Sequence, residues 1–214
     1  MKPILYYVHD PMCSWCWGFS RTLNELIEKL PKIIQVRRLL GGLAVDSDKP
    51  MPVSMQQQIQ SNWSRIEDTI PGVRFNYDFW SECTPLRSTY PACRAVIAAR
   101  KQDEENDKKM TQAIQRAYYQ QARNPSDNST LIELASELNL SISEFKKDLL
   151  SDETEEQLKT EINLSREIFA ESFPNLVLHD GNELHSIKLN YNNSQEILNE
   201  INKILLECES QLRH

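Results

Sequence analysis

Apolar residues at the start of the chain follow the pattern of a strand, a helix and a second strand. The continuous apolar run over residues 4–8 is typical of a strand that is buried on both faces of a parallel sheet. Apolar residues at steps of three and four then predict an amphipathic helix, which Pro31 ends. A second apolar run over residues 33–40 stops at Gly41 and predicts another strand. This order predicts a right-handed βαβ unit.

The middle of the chain, from about residue 51 to 166, has helical periodicity and almost no strand pattern. Ser88 is the predicted N-cap of a helix that carries Cys93. In the last helix of this stretch Phe169 lies on the predicted buried side. The later helices are predicted over residues 109–122, 130–138, 142–150 and 153–171.

Strand character returns after this helical block. Residues 173–178 form an apolar run, Asp180-Gly181 is a tight-turn dipeptide, and residues 184–189 provide a partner strand, so residues 175–189 predict a hairpin. A final amphipathic stripe predicts a C-terminal helix. The complete pattern predicts an α/β fold with a four-stranded mixed sheet. One domain would combine residues 1–50 and 172–214, and residues 51–171 would form an all-helical insertion domain.

Composition and charge narrow the possible functions and locations. The chain has 214 residues and a net charge of -7, which argues against nucleic acid as a partner. No window approaches the roughly 20 apolar residues of a membrane helix, and the apolar run before His9 is shorter than the roughly 7–15 residues of a secretory signal. We therefore expect a cytoplasmic protein without a membrane or nucleic-acid partner.

The central motif is Cys13-Ser14-Trp15-Cys16, at the junction of the first strand and the first helix. A C-x-x-C in this position indicates a redox-active pair. Unpaired N–H groups and the positive end of the macrodipole at the helix N-terminus favour a thiolate. Cys13 precedes the helix and is the predicted nucleophile. Cys16 falls on the apolar stripe and is the predicted resolving cysteine, which releases the substrate from a mixed disulfide.

Other chemistry remains open at this motif. Two cysteines at this spacing also occur as half of a zinc site, which would need two further ligands. Cys83 and Cys93 are available, although nine residues separate them. The five cysteines are an odd number, which fits reduced thiols with one redox pair. Cys93 and Cys208 are predicted to be buried thiols and Cys83 to be exposed, and the sequence leaves their redox roles undecided.

Several residues near the motif in the predicted fold are candidates for substrate binding. Pro174 opens a strand that would enter the sheet beside the C-x-x-C loop, and the backbone of Phe173 could pair with an extended substrate. Trp15 provides an apolar surface beside the dithiol, and it is equally consistent with core packing. His9 and Asp10 precede the motif and could either tune Cys13 or serve a structural role such as capping.

Three segments together resemble the DsbA type of thioredoxin-fold oxidoreductases, in particular the branch described as predicted protein-disulfide isomerases, which is FrnE-like. The segments are residues 7–19, 88–95 and 172–178, and the similarity extends over essentially the whole chain. The resemblance implies a thioredoxin-like domain with a helical insertion. It also implies that Cys13 is the nucleophile, Cys16 the resolving thiol and Pro174 a cis-proline. We expect no metal and no bound cofactor.

The residues between the two cysteines depart from the family's periplasmic oxidant. This chain has Ser14-Trp15 where that enzyme has proline and histidine, so its strong oxidising power is not carried over. We expect a cytoplasmic reductase or isomerase that acts on disulfide-containing proteins or small-molecule thiols. Glutathione or a thioredoxin-type reductant could recycle it. The alternatives are a glutathione-dependent isomerase or transferase for a small organic substrate, and a zinc-stabilised interaction domain.

Overall fold

A computed structural model describes residues 2–211, and the side chains of residues 2–208. The strands are β1 (Ile4–His9), β2 (Gln35–Leu40), β3 (Asn175–His179) and β4 (Leu184–Ile187). The helices are α1 (Ser14–Lys29), α2 (Val53–Thr69), α3 (Phe79–Glu82), α4 (Tyr90–Gln102), α5 (Asn106–Gln120), α6 (Asn128–Glu137), α7 (Ile142–Leu149), α8 (Asp152–Glu167) and α9 (Ser194–Gln211). No helix in this described part is long and apolar enough to cross a membrane.

The strands form one mixed sheet in the order β2-β1-β3-β4. β1 runs parallel to β2, with Ile4 opposite Gln35 and His9 opposite Leu40. β3 is antiparallel to both β1 and β4. The sheet confirms the predicted βαβ unit, the ββα unit and the α/β class with a thioredoxin-like arrangement.

Both faces of the sheet are covered, as the alternation along β1 requires. Leu5 and Tyr7 point to a core shared with α1 and α9, where Phe19 and Ile201 are fully buried. Tyr6 and Val8 point to the opposite face, in a smaller cluster that contains Ile168 and Ala170. The β1–α1 junction is therefore held rigidly between packed layers.

The helices between β2 and β3 enclose a separate, aromatic-rich core. The fully buried Trp63 stacks on Phe75 with ring centroids 4.8 Å apart, and it contacts further rings edge-on. The same apolar cluster includes Met12 of the β1–α1 loop and Leu40, the last residue of β2. These helices therefore pack directly against the C-x-x-C loop. The division into domains at residues 51 and 171 stays a prediction.

Two details of the predicted helices are wrong. α4 begins at Tyr90 with Thr89 at its N-cap, whereas Ser88 accepts a hydrogen bond from the Ser47 N–H. α8 ends at Glu167, and Phe169 is 82% exposed rather than buried. Phe169 has φ 60°, the left-handed conformation that commonly terminates a helix, which turns its side chain away from the apolar stripe. The short α3 was not predicted.

Candidate functional site

Cys13 occupies the N-cap of α1, directly after the turn that follows β1. Its N–H donates to the Asp10 carbonyl oxygen at 3.0 Å, and this bond closes the turn. The Cys13 sulfur accepts from the Cys16 N–H at 3.4 Å, so an otherwise unpaired donor of the first helical turn points at it. The thiol also reaches the carbonyl oxygen of Phe173 at 3.4 Å.

Cys16 lies behind Cys13 and has no exposed surface, whereas Cys13 is 7% exposed and lines a cavity. Burial raises the pKa of the Cys16 thiol well above its usual value, and the adjacent Cys13 raises it further. Both cysteines are free thiols. Cys13 is therefore accessible from the cavity, whereas Cys16 is shielded.

The Phe173–Pro174 peptide bond is cis, as the resemblance implies for Pro174. Gly41, which follows β2, lies so close to the Phe173 ring that a Cβ at this position would overlap it. The close approach of the Phe173 ring to the backbone therefore requires glycine at position 41. The structure brings Phe173 to Cys13 across 160 positions of sequence. The role of Phe173 and Pro174 in substrate binding stays a prediction.

The cavity beside Cys13 has a volume of about 290 Å³. Its apolar wall includes three methionines, Met12, Met51 and Met55, together with Trp15 and Phe173. Polar groups at the wall include Gln58, Asn62, Arg87 and Thr89. A mostly apolar cavity with a few polar groups is typical of a site for a small ligand or for part of a larger one.

Trp15 is half-buried at this cavity, and its ring contacts two other side chains. The Arg65 guanidinium lies 5.2 Å from its centroid, and the Tyr191 ring meets it edge-on at 5.1 Å. Trp17 instead stacks on Tyr119 and lines a different groove. Trp15 is therefore placed to contact a substrate, although that role stays a prediction.

Asp10 is a fully buried carboxylate in the β1–α1 loop. It accepts hydrogen bonds from the N–H groups of Met12 and Leu43, both at 2.7 Å, and from the Thr89 hydroxyl at 2.6 Å. The Cys93 thiol donates to it at 3.5 Å. Burial raises the pKa of Asp10, and these four donors oppose the increase. Asp10 thus joins three segments around the site instead of capping α1.

His9 and Tyr7 form a buried stack of rings under the site. The sequence indicated His9 as a candidate residue but not Tyr7. Their rings are parallel, with centroids 4.8 Å apart, and Arg38 lies over Tyr7 and contacts His9 at 3.2 Å. Burial lowers the pKa of His9 well below its usual value, and the Arg38 and Arg100 charges lower it further. Burial raises the pKa of Tyr7, as does the neighbouring Cys16. In the sequence Tyr7 is indistinguishable from an ordinary core residue of β1.

The remaining cysteines have separate surroundings. Cys93 is fully buried, as predicted, and burial raises its pKa. Cys83 is half-buried rather than exposed, and its thiol donates to the Ala122 carbonyl oxygen at 3.0 Å. Cys208 was predicted to be buried, but it is half-buried because it lies where α9 meets the Asn182 side chain. Among the described residues no group of three or more His, Cys, Asp or Glu side chains is arranged to hold a metal ion.

Two solved structures share this fold over nearly their whole length. A candidate protein disulfide isomerase from Nitrosomonas europaea is 27% identical, with a TM-score of 0.81 over 97% of this chain and 98% of that one. The cytosolic disulfide reductase DsbM from Pseudomonas aeruginosa is 24% identical, with a TM-score of 0.72 over 98% of each chain. DsbM has also been solved with GSH.

Curated relatives carry a different name. The ClpXP adapter protein SpxH of Halalkalibacterium halodurans is 24% identical over 186 residues, and the match includes 85% of this chain. The matched part is 60% of the adapter's length. The chain therefore spans about three fifths of this relative.

A family model described as thioredoxin, Thioredoxin_5, matches residues 6–200. The match includes both cysteines of the pair, the cis-proline and the helices between the two halves of the sheet. The resemblance to DsbA-type oxidoreductases is confirmed by the structures that share the fold. The chain belongs to this thioredoxin family and has the fold of its DsbA-type members.

Proposed function

We propose that the protein is a thiol–disulfide oxidoreductase in which Cys13 attacks and Cys16 resolves. The observation that carries the proposal is the difference in burial and access between the two cysteines. The Cys13 sulfur lies at the cavity wall and accepts the Cys16 N–H, while Cys16 is completely buried behind it. Membership in the thioredoxin family supports the same chemistry.

The reaction has two exchange steps. The Cys13 thiolate attacks one sulfur of a substrate disulfide, a Cys13–substrate bond forms, and the other substrate sulfur leaves as a thiolate and takes up a proton. Cys16 then loses its proton and attacks Cys13, and the second substrate thiolate leaves. The substrate gains two electrons, and the Cys13–Cys16 pair is oxidised to a disulfide. Two electrons from external thiols restore the dithiol.

The neighbouring groups have distinct proposed roles. The Phe173 backbone and Pro174 face an extended or small substrate opposite Cys13, and Trp15 covers its apolar part. The raised pKa of Cys16 keeps it protonated until the mixed disulfide forms, because burial disfavours its thiolate.

We propose reduction or isomerisation in the cytoplasm as the physiological direction. A reducing compartment holds such a pair mostly as the dithiol. The cytosolic reductase DsbM has the same fold and has been solved with GSH, which supports glutathione as the recycling thiol. A thioredoxin-type reductant is the alternative partner. Both protein disulfides and small-molecule disulfides remain candidate substrates.

The test is reduction of insulin and of oxidised glutathione by the wild type and three cysteine variants. Cys13→Ser should lose activity, and Cys16→Ser should accumulate a mixed disulfide on Cys13, visible by mass spectrometry. Cys208→Ser is the matched control, and this variant should retain full activity. The half-buried Cys208 thiol lies beside Asn182 of the β3–β4 hairpin. Equal activity of wild type and Cys13→Ser would contradict the proposal. Activity with a glutathione-linked organic substrate that survives loss of Cys16 would favour the isomerase or transferase alternative.

A further inference from the structure

Arg87 differs from the other half-buried arginines in lacking a partner. Five arginines in the described part of the chain are half-buried. Four of them form ion pairs with carboxylates: Arg38, Arg94, Arg100 and Arg123. The Arg87 guanidinium makes no ion pair and no hydrogen bond with any other described residue. A partly desolvated guanidinium without a counter-charge is costly for folding, so its position indicates another use.

Arg87 lies at the wall of the cavity that contains Cys13. No aspartate or glutamate is among the described residues that line this cavity, so Arg87 is the only charged group among them apart from an ionised Cys13. The remaining wall is apolar or carries neutral amide and hydroxyl groups, such as Asn62 and Thr89. The cavity therefore presents one positive charge in an otherwise neutral site.

The size of the cavity limits what can reach that charge. Its volume of about 290 Å³ is at the lower end of small-molecule sites, which begin near 300 Å³. One half of a small disulfide fits such a space, with its sulfur at Cys13 and its far end at the wall. A guanidinium binds a carboxylate through two parallel hydrogen bonds, which makes it selective for that group.

We propose that Arg87 is a specificity-determining residue that selects low-molecular-weight disulfides with a carboxylate over neutral or cationic ones. The proposal rests on the exchange function of Cys13 and Cys16, and the bonds form and break in the two steps described above. The net charge of -7 opposes the selection of anionic disulfides, because a negatively charged protein attracts cationic and repels anionic molecules at long range. A preference for anions would therefore require a local cation.

The experiment uses three disulfides that differ only in their end group. They are 3,3′-dithiodipropionate, bis(2-hydroxyethyl) disulfide and cystamine, which are anionic, neutral and cationic and share a two-carbon spacer. Pre-reduced full-length protein is mixed with excess disulfide, and oxidation of the Cys13–Cys16 pair is followed by acid quench, alkylation and mass spectrometry. This single turnover requires no recycling partner. The variants are Arg87→Gln and Arg87→Lys.

The expected result is a change in the ratio of the anionic to the cationic rate constant. Arg87→Gln should lower this ratio roughly tenfold or more, since hydrogen bonds to a charged group are lost. Arg87→Lys should recover part of it, and the rate with the neutral disulfide should change little. Arg74→Gln is the matched control, because it removes one positive charge from an exposed arginine in a different groove.

The other possible outcomes distinguish failure of the Arg87 assignment from failure of the proposed exchange function. An unchanged ratio in Arg87→Gln, or an equal change in Arg74→Gln, overturns the assignment of Arg87 while the exchange function stands. If Arg87→Gln also slows the reaction with the neutral disulfide, the anionic-to-cationic ratio in Arg87→Lys decides, and a ratio no higher than that of Arg87→Gln overturns the proposal. If none of the three disulfides oxidises the wild-type pair, the proposed function itself fails.

Discussion

The oxygen atoms of Asp10 join three segments of the chain at the level of single residues. They accept from Met12 in its own loop, from Leu43 after β2, and from Thr89 and Cys93 at the start of α4. Met12 directly precedes Cys13, the proposed nucleophile. The buried carboxylate therefore fixes the loop that carries Cys13 relative to the helices.

Asp10→Ala should destabilise the protein by about 3 kcal/mol, because two backbone N–H groups and one hydroxyl lose their buried acceptor. Urea unfolding at neutral pH measures the change. Asp68→Ala is the control, since Asp68 is exposed on α2 and its replacement should change stability by less than about 0.5 kcal/mol. Equal stability of the two variants would show that Asp10 has no such anchoring role.

Gly41 is the second residue whose identity matters for the site, because the Phe173 ring occupies the space of a Cβ. Gly41→Ala should displace Phe173 from Cys13 and lower the exchange rate by roughly tenfold or more, as small misplacements of reacting groups do. Stability should fall by about 1–3 kcal/mol through overpacking. The check is the single-turnover rate of the folded variant with a neutral disulfide. A wild-type rate would mean that the position of the Phe173 ring is unimportant.

The β3–β4 hairpin shows how an element is fixed by its turn. The Asp180 carboxylate accepts from the N–H groups of Asn182 and Glu183 and contacts His185. Although desolvation acts to raise the pKa of Asp180, the two backbone donors and His185 outweigh it and lower the pKa to about 2. The ionised side chain therefore stabilises the turn that places β4 beside β3.

The stability that Asp180 contributes should depend on pH. Because its pKa is lowered in the folded state, the contribution is complete above the unfolded value of about 3.9 and is lost as the pH falls through about 2. Solvent screening limits its size to about 1 kcal/mol. The difference in unfolding free energy between wild type and Asp180→Asn should be present at pH 6 and shrink from pH 4 to pH 2. A pH-independent difference would exclude the carboxylate charge as its source.

Buried ion pairs connect the helices to the sheet across the whole molecule. Arg38 of β2 pairs with Asp107 of α5, which also accepts from Arg100 of α4. Arg100 in turn donates to Glu161 of α8 at 2.6 Å, and Glu161 accepts from the Leu40 N–H at 2.8 Å. With the apolar cluster that includes Met12 and Leu40, this network predicts that the sheet and the helical insertion unfold together.

Arg100→Met should destabilise the protein by about 3–5 kcal/mol, because the buried carboxylates of Asp107 and Glu161 would lose a partner. The control is Arg123→Met, whose partners Glu133 and Glu137 are mostly exposed, and which should cost less than about 1 kcal/mol. Denaturant curves followed by tryptophan fluorescence and by circular dichroism should coincide for wild type. Two separate transitions would support independent domains at the predicted boundaries instead.

Local sequence pattern determined the order of elements and the position of the reactive pair. Continuous apolar runs predicted β1, β2 and the hairpin, and three-to-four-residue repeats predicted α1 and α9, since these patterns reflect how each element is buried. The placement of Cys13 and Cys16 at a strand–helix junction followed in the same way. Helix ends were less predictable. Phe169 continues an apolar stripe in sequence, but its left-handed backbone ends the packing there.

Tertiary structure alone decided the surroundings of the pair. Leu43, Thr89 and Cys93 reach Asp10 from 33, 79 and 83 positions away, and no periodicity carries that information. The same holds for Arg87, whose lack of a counter-charge depends on where every carboxylate lies. A sequence specifies which residues are apolar and which can react. Long-range packing then determines which charged side chains acquire a counter-charge, and Arg87 acquires none among the described residues.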